Sequence, residues 1–278
     1  MAAVAPRVLN YRQSEIVSLL RQSGRVAVED LATQFGVTLQ TIRRDLNELS
    51  EAKLLVRVHG GAIIASGVAN LAYEARQLVA HQHKRLIGEA AARLVPDNAS
   101  LFINIGTTTE EVAKALVGHS GLLVITNNLH VANELHRSKL IEVIVTGGSV
   151  RQGDGGIIGA VTVAQIGQFR VDIAIIGTSA IDPNGTLLDF DVREVEISRA
   201  IIDHARKIVL VADSSKFSRS APVRIAQLSE IDVFVTDRLP SQAIVEMCRR
   251  CEVEVIETGG PTESEAIEPQ RQGVQHRA

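Results

Sequence analysis

The chain has no tryptophan, and aromatic residues of all kinds fill only 3% of its 278 positions. A core without large rings must be aliphatic, and runs such as 122–125, 141–145 and 208–211 read as strands buried on both faces, as in a parallel sheet. There are two cysteines, Cys248 and Cys251, in one C-x-x-C near the end of the sequence. A structural zinc site takes four ligands, and no second pair exists. Nor does the pair open a helix after an early strand, as a thioredoxin-like motif would. We read two reduced thiols at a helix end. No apolar run reaches the roughly 20 residues of a membrane span, and no leader pattern precedes the first helix, so a cytoplasmic setting is expected. Neither phosphate fingerprint is present. Gly153-Asp154-Gly155 begins a G-x-G, but Ile158 stands where the third glycine belongs, and there is no G-x-x-x-x-G-K. No dinucleotide, ATP or other cofactor is expected. His81 and His83, two residues apart, do not share a helix face, so we expect solvated linker histidines and no metal site.

The chain also lacks a net positive charge, at −3 with a pI of about 6.3. That excludes a protein basic throughout but not a locally basic module. Residues 1–64 hold eight Lys/Arg against six Asp/Glu, or +2, which leaves −5 for the rest. The patterning divides at the same place. Helical periodicity over 8–22 is followed by short helices at 28–35 and 39–51 and a hairpin within 54–64. Residues 65–82 have no strong period and read as a linker, partly helical. From 83 onward, strands at 101–105, 122–127, 141–146, 171–178, 207–212, 232–236 and 253–257 alternate with helices, which implies a layered α/β domain with a parallel sheet over 83–258. The polar stretch 259–278 reads as a disordered tail.

The third helix puts Ile42, Leu46 and Leu49 on one face. Thr38, a candidate N-cap, together with Gln40, Thr41, Arg43 and Arg44, lies on the other. A recognition helix needs this arrangement: the major groove admits one helix, Gln can read adenine and Arg guanine, and hydroxyls suit phosphates. The string 41–49, followed by Arg57-Val58-His59-Gly60-Gly61-Ala62, resembles the DNA-binding domain of the DeoR family of bacterial regulators. The resemblance implies a winged helix-turn-helix over 8–64, with Arg57 and His59 on the wing and double-stranded operator DNA as partner. Leu39 departs from the proline frequent at that position in the family.

In the second module, Leu101-Phe102-Ile103-Asn104-Ile105-Gly106 leads from a strand through a glycine turn into Thr107, Thr108 and Thr109 at a helix start. There free backbone N–H groups, the dipole and hydroxyls can hold an anion. Thr126-Asn127-Asn128 and Gly147-Gly148 follow two further strands, and ligands of a parallel sheet collect at such strand ends. The blocks 176–196 and 212–217 resemble the effector domain of the same family. The resemblance, which spans about 8–257, implies a fold similar to ribose-5-phosphate isomerase. It adds Asp189, Glu194 and Lys216 to the effector set. Within the family, residues 104–108, 124–133, 154–159 and 185–191 imply glycerol-3-phosphate as effector and a repressor of glycerol metabolism genes, acting as a homo-oligomer, dimer or tetramer. Asn104 stands where the family usually has Asp, and Ala180 where Gly is usual. The competing reading is a sugar-phosphate isomerase in which Asp189, Asp191, Glu194 and Lys216 supply base, orienting acid and electrophile. A fused DNA reader argues against it, because a catalyst would consume its own signal.

Overall fold

The first described element of the computed structural model is a capped helix. Asn10 accepts from the Gln13 N–H at 2.9 Å while Gln13 Oε1 accepts from the Asn10 N–H at 3.2 Å, a reciprocal box that starts α1 (Tyr11–Ser23). The structure describes residues 9–23, 25–52, 54–58, 60–63, 73–78 and 80–259. After α1 come β1 (Arg25–Ala27), α2 (Val28–Phe35), α3 (Leu39–Glu51), β2 (Val56–Val58) and β3 (Gly61–Ile63). The three strands pair antiparallel in the order β1-β3-β2. Ile16, Leu20, Leu31, Ile42, Leu46, Leu49 and Ala62 are almost fully buried in one small core. This is a winged helix, and β1 is a third strand that the sequence reading, with only a hairpin at 54–64, missed.

The range read as linker contains ordered helix. Helix α4 (Tyr73–Leu78) precedes α5 (His81–Ala92), which carries both His81 and His83. His83 is therefore not a linker residue, and its Nδ1 lies 3.5 Å from Asp237.

The remaining elements alternate: β4 (Ser100–Ile103), α6 (Thr107–Leu116), β5 (Leu122–Thr126), α7 (Leu129–Leu135), β6 (Ile141–Val145), a small hairpin of β7 (Ser149–Val150) and β8 (Ile157–Ile158), then α8 (Ala160–Ile166) and β9 (Val171–Ile176). Next follow β10 (Ala180–Ile181), β11 (Thr186–Asp189), α9 (Val192–Asp203), β12 (Ala205–Val211), a 3-10 turn (Ser214–Ser218), β13 (Val223–Gln227), β14 (Val233–Thr236), α10 (Gln242–Arg250) and β15 (Glu254–Glu257). Seven strands form one parallel sheet in the order β15-β14-β12-β9-β4-β5-β6. Alternate residues serve opposite layers. Leu101, Ile103, Ile173, Ile175, Val209 and Val211 meet α5, α6 and α7, whereas Phe102, Ala174, Ile176, Leu210 and Phe234 meet α8, α9 and α10. Strands buried on both faces are why these stretches are continuously aliphatic. A three-stranded antiparallel sheet, β10-β11-β13, lies beyond the end of β9 and carries Asp189. Cys248 is buried in α10, and Cys251 caps that helix; both are free thiols.

Candidate functional site

Helix α3 starts at Thr38, whose hydroxyl accepts from the Thr41 N–H at 3.2 Å. Ile42, Leu46 and Leu49 are buried, while Thr38, Leu39, Gln40, Arg43, Arg44 and Asn47 are exposed and Thr41 is half-buried. The helix is fixed from behind by α1: Arg12 Nε lies 2.5 Å from Asp45, and Gln13 Nε2 donates to Glu48 at 2.8 Å. Arg44 makes an exposed i,i+4 pair with Glu48 at 3.1 Å, weak enough for DNA to displace. Arg43 has no ion-pair partner among the described residues. Arg57 is placed differently from the rest. Its Nη1 donates to the Arg43 carbonyl at 3.2 Å and to Asn47 Oδ1 at 2.7 Å, so it braces the wing against α3. His59 lies outside the described residues.

The second site forms at the C-terminal ends of the parallel strands. After β4, Asn104 Oδ1 accepts from the Ile105 N–H at 2.7 Å and its amide donates to Ser198 at 2.8 Å. Gly106 then caps α6 at φ 153°, a conformation that favours glycine. Thr109 is spent internally, donating to the carbonyls of Asn104 and Gly106. The hydroxyls of Thr107 and Thr108 have no hydrogen-bond partner among the described residues, and they stand at the free N–H end of α6.

The other expected loops divide by role. Thr126 Oγ1 donates to the Ile103 carbonyl at 2.7 Å and ties β5 to β4. Asn127 donates to the Ile157 carbonyl at 3.3 Å, and its Oδ1 is buried without a partner. Asn128 is occupied as the N-cap of α7 and as a donor to Glu110 at 3.2 Å. Gly147 and Gly148 are engaged with α8: the Gly147 N–H goes to Gln165 at 2.7 Å and its carbonyl accepts from Thr162 at 2.7 Å.

A buried network of charges completes the site, and much of it went unread in the sequence. Arg151, in the β7–β8 turn, lies 2.6 Å from both Asp154 and Glu194 and 3.2 Å from Asp191. Arg76 of α4 reaches Asp154 at 3.1 Å, and its Nε is buried without a partner. Lys84 is buried and donates to the Arg76 carbonyl. Asp189 accepts from Ser179 at 3.1 Å and from the Phe190 N–H at 2.6 Å. Asp213 caps the 3-10 turn that carries the buried Lys216.

Burial alone would raise the Asp213 carboxyl, but Lys216 and Lys84 hold it at about 2. Burial pushes the Lys216 ammonium well below its ordinary range, with Asp213 opposing. Burial, then Asp189, pushes Glu194 up to about 7 against the pull of Arg151, and burial raises Asp189 as well. Cations interleaved with carboxylates that burial pushes toward their neutral form, next to free helix N–H groups, suit an anion carrying hydroxyls. The signal missed in the sequence was spatial: Arg76, Lys84, Arg151 and Asp213 come from four separate segments. No group of three or more His, Cys, Asp or Glu side chains among the described residues is arranged to hold a metal ion.

Residues 12–68 match the DeoR-like helix-turn-helix domain, and residues 79–238 match the DeoR C terminal sensor domain. The chain is 44% identical over 236 residues to the glycerol-3-phosphate regulon repressor of Escherichia coli (strain K12), covering 85% of this chain and 94% of that protein. It is 47% identical over 229 residues to the Haemophilus influenzae protein of the same name, covering 82% and 89%. The HTH-type transcriptional repressor CsqR of E. coli is 39% identical over 247 residues, covering 89% and 95%. Among solved structures, ribose 5-phosphate isomerase A from Neisseria gonorrhoeae overlaps 48% of this chain and 52% of its own, at 18% identity and a TM-score of 0.36. With both halves matched in order, the chain belongs to the DeoR family of transcriptional regulators.

Proposed function

We propose that this protein is a DNA-binding repressor of genes for glycerol and glycerol-3-phosphate metabolism, released from its operator by glycerol-3-phosphate. The observation that carries the reading is the cluster of buried Lys84 and Lys216 with half-buried Arg76 and Arg151, at the strand ends where the Thr107 and Thr108 hydroxyls have no partner among the described residues. A phosphate dianion there takes N–H groups from α6 and fixes Lys216 in its charged form, and the carboxylates accept the glycerol hydroxyls. Relatives at 44% and 47% identity that carry the name of this regulon, along nearly their full length, support the choice of ligand. Arg43, Arg44, Gln40 and Thr41 contact DNA. A homo-oligomer engages two or more half-sites, which multiplies a modest affinity per site. The chain senses its ligand and does not transform it.

The test is operator binding in a mobility-shift titration with increasing glycerol-3-phosphate, alongside a thermal-shift panel of phosphorylated metabolites. Release and a raised melting temperature with glycerol-3-phosphate are expected, since a ligand of the native state stabilises it. A larger shift with another sugar phosphate would reassign the effector. Isomerisation of ribose-5-phosphate that disappears in Lys216→Ala would overturn the sensor reading.

A further inference from the structure

The stretch between β3 and α5 joins the winged helix to the sensor domain, and its described helix, α4, is fastened by side chains to Glu110 and Asp154 of the proposed effector site. Tyr73 is buried. Its hydroxyl donates to Glu110 Oε2 at 2.6 Å and accepts from Gln77 at 2.7 Å, and its ring stacks on His130 with centroids 4.9 Å apart and planes 9° from parallel. Three residues on, Arg76 enters the charge network with its Nε unpartnered. Glu110 is buried in the first turn of α6, three residues after Thr107, and its other oxygen accepts from Asn128. Among the described residues no cation pairs with Glu110; a phenol, an amide and the positive end of α6 hold its charge.

We propose that the Tyr73–Glu110 contact is a latch that couples effector occupancy to the segment leading to the winged helix, and that it loosens when an anion occupies the start of α6. This rests on the effector reading above. A phosphate at Thr107 and Thr108 draws on the same helix dipole that stabilises Glu110, and it repels that carboxylate across a buried, weakly screening space. Linkage makes the coupling reciprocal: if the effector loosens the latch, loss of the latch tightens the effector. Tyr73 is thus a positioning residue that acts through Glu110.

The test uses the full-length protein, Tyr73→Phe, which keeps the stacked ring and removes only the hydroxyl, and Glu110→Gln, which removes the charge. Glycerol-3-phosphate affinity is measured by calorimetry. Operator release is measured on a duplex selected from random-sequence DNA, and backbone amide exchange is followed over 73–78. The expected result is several-fold tighter glycerol-3-phosphate binding in both variants and release of Tyr73→Phe at correspondingly lower concentration. In the parent, amides 73–78 should exchange faster when effector is bound. Unchanged or weaker binding in the variants, or unchanged exchange at 73–78 in a parent that does bind glycerol-3-phosphate, overturns the latch. If Tyr73→Phe does not fold, Glu110→Gln decides by the same criterion. A parent that shows no heat with glycerol-3-phosphate overturns the effector reading and the latch with it.

Discussion

Arg43 and Arg44 project from the exposed face of α3 with their helix held behind them, so they can be removed without touching the core. Arg43→Ala should cost about 1–3 kcal/mol of operator affinity at each half-site it serves, with an unchanged melting temperature; parent-like mobility shifts would remove it from the interface. Thr107→Val with Thr108→Val keeps the β-branched shape and deletes two hydroxyls. Charge-assisted hydrogen bonds contribute about 1.5–3 kcal/mol each, so effector affinity should fall at least a hundredfold, leaving a repressor that binds DNA and is not released. Equal release from both proteins would exclude this loop as the phosphate site. Glu194, pushed up to about 7, gives a pH signature. Below that value it carries a proton and no longer opposes an anion, so glycerol-3-phosphate affinity should rise as pH falls from about 8 to about 6.5, where a phosphomonoester with a second pKa near 6 is still mostly dianionic. Glu194→Gln should flatten that dependence in calorimetry. At this scale the sequence was legible for residues that act where they stand, Thr38 as N-cap and Gly106 as the turn before α6. It was silent on Arg57, whose role as a brace depends on where β2 crosses α3.

The elements are held by close packing as much as by caps. Gly88 lies in α5 where α5 crosses α6, and a Cβ there would sit 2.6 Å from the backbone of Glu111. Helix backbones this close leave no side chain to move aside. Gly88→Ala should therefore destabilise the sensor domain by about 1–3 kcal/mol through overpacking, even though alanine favours helices, and scanning calorimetry would show the melting temperature drop. A rise would mean the two helices separate easily. Because α5 follows α4 and α6 carries Glu110, the same crossing sets the distance between the interdomain segment and the effector loop. Sequence periodicity found α1, α2, α3 and most of the long strands, since each buries a continuous stripe of its own residues. It did not find β1, β10, β11 or β13, which stand outside the strand–helix alternation that marks the parallel sheet and pair antiparallel instead.

The molecule as a whole responds to pH through the buried charges of its sensor domain. Asp213, held at about 2 against an ordinary 3.8, contributes stability that is present above 3.8 and lost as pH falls through 2. Glu194, raised from 4.5 to about 7, works in the opposite sense: its contribution is full below 4.5 and is lost as pH rises through 7. Denaturant unfolding should therefore find the sensor domain weaker in strong acid and losing stability again as pH rises from about 4.5 to about 7, and Glu194→Gln should remove only the second loss. If that variant leaves the loss between about 4.5 and 7 unchanged, Glu194 is not the group responsible. Local sequence pattern is enough to specify the two units and their order, the recognition helix with its inward Ile42, Leu46 and Leu49, the aliphatic parallel sheet and the glycine turn at Gly106. Each of these is written in neighbouring residues, through helical spacing, strand alternation or one glycine. Three-dimensional packing alone brings Arg76, Lys84, Arg151 and Lys216 into one charge network, turns Gly147 and Gly148 toward α8, and ties the interdomain segment to Glu110 through Tyr73. Those contacts join residues from 8 to 140 positions apart, and such a juxtaposition comes from strand order and helix crossing, which no local pattern encodes.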